Sequence, residues 1–283
     1  LKRFALISMV PSAEGSYYLA THKYYDISME GRIKSILQGG ITTNISYKQL
    51  DKSQNPGLYN NVETPNYPYV EINQSSGMFV VSQLTQCTTS STLLKQDFRY
   101  RGLTSNILGR GMIAFRKMAR SSWYSDGLEN TKIWSGVETD PLNDGVPVKE
   151  WSIRTNDESK IFPTDVSVNN TQLLSFKSTV YQIDKLINNQ VVTTIPNTDM
   201  PKVVTVVVPK TTISKDFISN TVSENTVTYG QYYLPVQNIS KVNNNFALMN
   251  SVYQYINNAS GNGANYYIGR LQSKTDIIQA YSD

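Results

Sequence analysis

The sequence predicts a mainly β fold: an antiparallel β-sandwich of jelly-roll type with a few inserted helices and long polar loops. β-branched and aromatic residues, including 19 Tyr, dominate the apolar set, and these residue types favour strands. Short alternating segments recur along the chain between turns rich in Asn, Gly and Pro. Regular strand–helix alternation is missing, which argues against a doubly wound α/β fold.

The first third of the chain is predicted to consist of short strands and one long loop. Residues 3–50 alternate in part and are broken by the pair Gly39-Gly40. Residues 51–66 read as a loop because of their Asn, Pro and Gly content, and long ordered loops tend to carry surface function. Two short strands are predicted at 67–72 and 77–84, separated by turn residues.

Three segments place apolar residues three and four positions apart, which is typical of an amphipathic helix. Helices are therefore predicted near residues 106–121, 170–188 and 240–257, the last with Ser240 as its N-cap. For 170–188 the alternative is a hairpin with Asn188-Asn189 at its tip, because the β-branched run VVTTI follows directly.

The remaining segments are predicted to be strands within a single β-rich domain of residues 1–283. No internal repeat or low-complexity linker forces a domain boundary. The run KVVTVVV, bounded by Pro201 and Pro209, suits a buried strand. Further strands are predicted at 93–100, 131–137, 148–154, 225–236 and 266–271.

The residues from Lys95 to Tyr124, here called the basic segment, concentrate charge in a chain whose formal net charge is only +4. They contain one acid, Asp97, and these cationic residues: Lys95, Arg99, Arg101, Arg110, Arg116, Lys117 and Arg120. Aromatic residues lie between them: Phe98, Tyr100, Phe115, Trp123 and Tyr124. Cations bind phosphate backbones and aromatic rings stack on unpaired bases, so this composition favours sequence-independent binding of single-stranded nucleic acid.

The basic segment also fits a purely structural role. Met112, Ile113 and Phe115 are residues that a core would bury, and the arginines are then solvated or paired across a subunit contact. The predicted partners are therefore copies of the same chain and packaged nucleic acid.

The composition argues against an enzyme. His22 and Cys87 are the single His and the single Cys, so a catalytic triad, a Cys-His pair or a multi-histidine metal site would depend on one imidazole. Cys87 is predicted to be a reduced, buried thiol. Neither a GxGxxG motif nor a Walker A loop occurs, and no catalytic residue is assigned.

Ca²⁺ is the one cofactor considered, bound by acidic turns at an interface. Its oxygen ligands would come from the residues Asp140, Asn143, Asp144, Asp157 and Glu158, although EF-hand spacing is missing and plain surface turns are the alternative. No apolar run approaches the roughly 18 residues needed to cross a bilayer, so no membrane span is predicted.

The predicted function is that of a structural, self-assembling protein, a viral or phage capsid subunit located in the virion. The many-stranded, polar-loop pattern and the lack of a catalytic signature favour it. The alternative is a cell-surface adhesin or carbohydrate-binding β module, in which tyrosines together with Trp123, Trp134 and Trp151 contact sugar. A glycoside hydrolase ranks third, since it needs two carboxylates facing each other across a cleft.

Overall fold

One long antiparallel sheet dominates the fold. The computed structural model describes residues 5–11, 17–23, 31–62, 65, 67–87, 93–127, 131–195 and 202–280. Within these ranges the chain forms strands and short 3₁₀ turns but no α-helix, so the mainly β prediction is confirmed. No helix in this part of the chain is long and apolar enough to cross a membrane.

The described ranges contain eighteen strands. In chain order they are β1 (Ala5–Pro11), β2 (Tyr17–Lys23), β3 (Ser35–Gln38), β4 (Ile41–Asp51), β5 (Tyr59–Asn60), β6 (Tyr69–Glu71), β7 (Gln74–Cys87), β8 (Leu93–Asn106), β9 (Gly111–Ser121), β10 (Ile133–Asp140), β11 (Val146–Arg154), β12 (Leu173–Ile187), β13 (Gln190–Val191), β14 (Val204–Asp216), β15 (Thr221–Tyr229), β16 (Pro235–Val242), β17 (Ala247–Asn258) and β18 (Tyr267–Ala280).

The strands pair mainly with their neighbours in sequence. β1 and β2 form a separate antiparallel ribbon, and the other strands form one 16-stranded sheet in the order β18-β17-β16-β15-β14-β12-β11-β10-β9-β8-β7-β4-β3. β13 pairs with β12. β5 runs parallel to β8 and β6 antiparallel to it, both along the part of β8 that has diverged from β7.

The helix predicted near residues 106–121 is wrong, because this segment is a turn followed by β9. β9 pairs with β8 on one side and β10 on the other, so the neighbouring strands satisfy its backbone groups. Residues on both of its faces are partly buried: Ile113, Phe115 and Lys117 on one and Ala114, Arg116 and Met118 on the other. Apolar residues therefore occur at both odd and even positions. Some of them lie three or four positions apart, which is also the spacing of the apolar face of a helix.

The helices predicted near 170–188 and 240–257 are also wrong. Residues 173–187 form β12, and the hairpin alternative is confirmed: Asn188 and Asn189 adopt positive φ angles of 52° and 61°, as a tight hairpin turn requires, and β13 follows. Ser240 is a strand residue of β16 opposite Asn225, not an N-cap. A turn at 243–246 then leads into β17.

The jelly-roll sandwich is not confirmed, because a single sheet takes the place of two packed sheets. Residues 155–172, here called the covering loop, lie over β10, β11 and β12 and supply Ile161 and Val166 to a core that contains Trp134, Trp151 and Phe176. The loop thus occupies the position that a second sheet would take. The covering loop buries the apolar side chains on only one face of β10, β11 and β12.

Trp151 fixes the geometry of this core. Its indole Nε1 donates a hydrogen bond to the carbonyl of Ile161 in the covering loop (3.0 Å). The ring lies against Gly136, its pairing partner on β10, and a Cβ at residue 136 would stand 2.2 Å from the ring. The absence of a side chain at Gly136 is therefore what allows the indole to lie flat on the sheet.

A second, smaller core lies under the connection from β4 to β7. Leu50, Tyr59 and Leu103 are its buried residues. The Tyr59 hydroxyl donates to the carbonyl of Ile72 and accepts from the backbone N–H of Leu103 (3.1 Å). The loop predicted at 51–66 contains the short strand β5, and the strand predicted at 67–72 is present as β6. Both strands tie this connection to β8.

The first half of β14 and the strands β15–β18 lack such cover, whereas Ile213 near the end of β14 and Phe217 just after it pack against the first core. Among residues 204–280 the only buried residue is Ser251, and it is polar. Large apolar side chains in this region are exposed, including Val204 at 61%, Ile218 at 81% and Ile278 at 70%. This part of the sheet is a single layer that leaves both faces accessible.

Candidate functional site

The first half of the basic segment forms a row of charges along β8. Side chains alternate between the faces of a strand, so Lys95, Asp97, Arg99 and Arg101 share one face and are here called the charge ladder. The Arg99 guanidinium lies 5.2 Å from the ring centre of Trp134. The charge ladder therefore points to the face that the covering loop protects.

Asp97 is the buried centre of the ladder, with 8% of its side chain exposed. Its carboxylate accepts hydrogen bonds from Gln83 Nε2 (2.7 Å), Tyr124 Oη (2.9 Å) and Lys132 Nζ (2.7 Å), and Lys132 also lies over the Tyr124 ring at 4.0 Å. Burial raises the pKa of Asp97, but these three donors outweigh it and hold the pKa below its usual value. The carboxylate is thus a structural anion rather than a proton donor near neutral pH.

Lys95 is held at the end of the ladder by the segment that follows β9. Its backbone exchanges two hydrogen bonds with Tyr124 (2.8 and 2.9 Å), and its ammonium group pairs with Asp126. This pairing raises the pKa of Lys95. Residues 122–126 therefore close over the ladder on this side.

Arg99 and Arg101 bind the covering loop. Arg99 forms a two-point contact with the Glu158 carboxylate, through Nε (2.9 Å) and Nη2 (2.6 Å). Burial lowers the pKa of Arg99, but Glu158 outweighs this effect and raises it. Arg101 lies 4.6 Å from the ring centre of Phe162, and burial together with the neighbouring Arg99 charge lowers its pKa. Both guanidinium groups hold the loop on the sheet.

The other four cations do not join the ladder. Arg110 pairs with Asp144 at an exposed turn, and 54% of its side chain is exposed. Lys117 lies 3.4 Å from Glu138. Arg116 and Arg120 alternate with Lys117 and so face the opposite side of the sheet, where Arg116 is half-buried and Arg120 is exposed. The seven predicted cations are therefore divided between two faces and a turn.

Three aromatic rings of the basic segment pack in the interior of the protein. Tyr100 and Phe115 pack against each other in the second core, with ring centres 4.9 Å apart. Burial raises the pKa of Tyr100 to about 12. Tyr124 is 8% exposed and bonded to Asp97. These three rings are not presented for stacking on bases.

Sequence reasoning did not assign to the basic segment the acids that pair with it: Asp144 and Glu158 were predicted as Ca²⁺ ligands, and Asp126 and Glu138 were not singled out. The partners are Asp126, Glu138, Asp144 and Glu158. Asp126, Asp144 and Glu158 lie in turns that follow the segment, and Glu138 lies on β10 opposite Lys117. Residues 95–158 contain ten Lys and Arg and nine Asp and Glu, so a charge count over this longer range would have shown a nearly balanced segment.

The acidic turns considered for Ca²⁺ are occupied by other contacts. Asp140 accepts from Leu142 N (3.0 Å) and Asn143 Nδ2 (2.6 Å), and Asp157 accepts from Ser159. In the described ranges no three His, Cys, Asp or Glu residues are grouped closely enough to hold a metal.

Two of the tryptophans predicted to contact sugar are buried, and the thiol predicted to be buried is exposed. Trp134 and Trp151 are only 1% and 3% exposed, so neither is available to a glycan. Cys87 is exposed at the end of β7, which corrects the prediction of a buried thiol. The side chain of His22 lies outside the described residues.

The ladder arginines are expected to contribute more to stability than the arginine at the exposed turn. Arg99→Ala removes a two-point ion pair and the packing on Trp134, and we expect the free energy of unfolding to fall by about 2 kcal/mol. Arg110→Ala removes an exposed pair and should lower it by less than about 1 kcal/mol. Urea unfolding measures both, and equal losses would contradict the assignment of Arg99 to an internal role.

No protein-family model and no curated protein matches the chain, but solved structures resemble its fold. The crystal structure of TcdB2-TccC3-Cdc42 matches with a TM-score of 0.57 at 8% identity, covering 85% of this chain and 14% of that chain. The structure of TcdB2-TccC3 without its hypervariable C-terminal region matches with a TM-score of 0.56 at 10% identity, with coverage of 85% and 14%. The TcdB2-TccC3 structure gives 0.55 at 10% identity, with coverage of 85% and 15%. At these identities the likeness concerns the fold alone, and the chain spans about one seventh of the length of the chains it matches.

Proposed function

We propose that the protein is a structural, self-assembling protein without enzymatic activity, whose sheet forms one section of a larger β-walled assembly. The single observation that carries the proposal is the single-layer region formed by the first half of β14 and by β15–β18. A sheet normally buries at least one face against another layer. Here neither face contains a buried apolar side chain.

The exposed apolar side chains of this region provide the driving force for association. Burying apolar surface contributes about 25 cal/mol per Å², and this contribution is not realised by a single layer. Ile218, Leu271 and Ile278 are each more than half exposed. Contact with a neighbouring protein surface would bury them.

The two ends of the sheet favour the same role. At one end β3 pairs only with β4, and all four of its residues are exposed. At the other end β18 pairs only with β17. An edge strand presents backbone N–H and C=O groups that another strand can pair with.

The comparisons support a section of a larger structure. In the matched crystal structures the shared fold accounts for 14 to 15% of a much longer chain. A fold that matches only a small part of long chains is suited to be one section of a larger wall. A viral or phage capsid in a virion is the specific form predicted from the sequence, and it stays a prediction.

The basic segment enters this proposal with a narrower role. Lys95, Arg99 and Arg101 support the fold from within, so a contact with nucleic acid or a neighbouring subunit would involve the cations outside the charge ladder. Arg110 and Arg120 are exposed, and Arg116 lies on the same face as Arg120. These three are the residues to test for assembly.

Self-assembly is expected to be visible in solution. Light scattering and negative-stain microscopy of the purified chain should show species larger than one chain. Arg110→Ala, Arg116→Ala and Arg120→Ala combined should reduce assembly or the retained nucleic acid, with a change in the free energy of unfolding of only about 1 kcal/mol. A clean monomer at high concentration and neutral salt would overturn the proposed function. Unchanged assemblies with unchanged nucleic acid would remove only the basic segment from it.

A further inference from the structure

The free edge of β18 is the longest unpaired strand edge in the described part of the sheet. β18 covers fourteen residues, and every residue from Arg270 to Ala280 is exposed. One side of the strand pairs with β17 through residues 247–258. No described strand lies on its other side.

The regular part of this edge, residues 273–280, carries one cation, Lys274, and one anion, Asp276, two positions apart. The other cation of β18, Arg270, lies beyond the register shift between Leu271 and Ser273 and over the Tyr267 ring at 5.7 Å. Lys274 and Asp276 share a face, and their Nζ and Oδ2 atoms lie 2.9 Å apart. Asp276 also accepts a hydrogen bond from the buried Ser251 hydroxyl (2.6 Å) on β17. The two charges are thus fixed in position and cancel each other within one chain.

We propose that the free edge of β18 pairs with the same edge of a second copy, antiparallel about a two-fold axis at Thr275. This inference rests on the proposed self-assembly and names its surface. In this register Lys274 of each copy lies opposite Asp276 of the other, and Thr275 lies opposite itself. Two sheets then become one continuous sheet.

The charges select this register among the neighbouring ones. A two-fold axis normal to the sheet leaves each side chain on its own face, so residues that lie opposite each other must point to the same face. The axis can therefore lie at a residue but not between two neighbouring residues. An axis at Lys274 would place like ammonium groups opposite each other, and an axis at Asp276 would oppose two carboxylates. Unlike charges directly opposite stabilise a sheet and like charges destabilise it. Within the regular part of the edge, the axis at Thr275 is the one that pairs both Lys274 and Asp276 with an opposite charge.

The β18 edge of a second copy fits this edge better than the β3 edge would. β3 has four residues, so a contact of β3 with β18 would use only part of the edge. A lone lysine on an edge strand discourages pairing, but here the cation is accompanied by an anion that complements it under two-fold symmetry. Pairing also brings Ile277, which is 51% exposed, beside Thr275 and Ser273 of the partner.

Cross-linking tests the register directly. In a Cys87→Ser background, Thr275→Cys should form a covalent dimer on mild oxidation, because the two residues face each other with Cβ atoms about 5 Å apart. Lys210→Cys is the control, since this exposed residue lies on the interior strand β14 and should not cross-link. Failure of Thr275→Cys to cross-link in a chain that still assembles would overturn the edge contact and leave the proposed function standing. A chain that is monomeric throughout would overturn both.

Charge reversal tests the pairing energetics. Lys274→Asp and Asp276→Lys should each weaken association about 10-fold, because each creates two like-charge pairs related by symmetry. The double variant restores opposite charges and should return to within about 3-fold of the original dissociation constant. Sedimentation equilibrium measures association, and circular dichroism melting reports separately on the fold. Single variants that associate normally, or a double variant with intact fold that stays weak, would overturn the register. Lys210→Asp serves as the charge control.

Discussion

Gly136→Ala is expected to lower the free energy of unfolding by about 3 kcal/mol or more, the upper range for an overpacked core. The added Cβ would stand 2.2 Å from the Trp151 ring, so the indole would have to leave the sheet. It would then lose its hydrogen bond to Ile161 and release the covering loop. Urea unfolding followed by tryptophan fluorescence measures the change.

Two variants separate this steric effect from the general effect of replacing glycine. Gly77→Ala changes a strand glycine with nothing within 4 Å of its new Cβ, and it should leave stability within about 1 kcal/mol of the original. Trp151→Ala alone should cost about 3 to 5 kcal/mol. In the Trp151→Ala background, Gly136→Ala should add almost nothing. An additive loss in the double variant would show that the glycine matters for another reason.

Asp97→Asn is expected to lower the free energy of unfolding by about 2 to 4 kcal/mol, because it leaves the Lys132 charge without its buried partner. It also replaces a carboxylate oxygen by a donor that faces other donors, such as Gln83 Nε2. Glu150→Gln is the matched control, since its pair with Lys177 is 46% exposed on both sides. That variant should lose less than about 1 kcal/mol.

The contribution of Asp97 should depend on pH in a defined direction. Its folded-state pKa is lowered, so the stabilisation is fully present above the unfolded-state value of about 3.9. It is lost as the pH falls through the lower folded-state value. The difference in unfolding free energy between the original protein and Asp97→Asn should therefore be constant near neutrality and shrink in acid. A difference that stays constant down to acid pH would contradict a structural carboxylate.

The mainly β fold could be predicted because the strand propensity of each residue acts on the local backbone. β-branched and aromatic residues favour an extended backbone wherever they occur, and turn pairs such as Asn188-Asn189 mark hairpins. The helix predictions failed where both faces of a strand carry apolar residues, as in β9. The single sheet could not be foreseen either, because a loop such as residues 155–172 buries the same residues as a second layer would.

The basic segment could be located from sequence, but its contacts could not. Arg99 finds its partner Glu158 at a separation of 59 residues, and Asp97 finds Lys132 at a separation of 35. Strand alternation alone could have divided Lys117 from Arg116 and Arg120, had the segment been recognised as two strands. Their position relative to Arg99 and Arg101 depends on the register between β8 and β9. The charge ladder is internal because the covering loop lies over it, and the position of this loop depends on tertiary packing.

The pairing of consecutive strands has a consequence for how the chain folds. From β7 to β12 and from β14 to β18, each strand pairs with the next strand within its run, so most ladders close short loops. Short closures carry a small entropic penalty and favour rapid folding for a β protein. Both buried cores lie before β14, so this part has the contacts to nucleate. The later strands then add one at a time, each using its predecessor as a template, and local opening becomes easier towards β18.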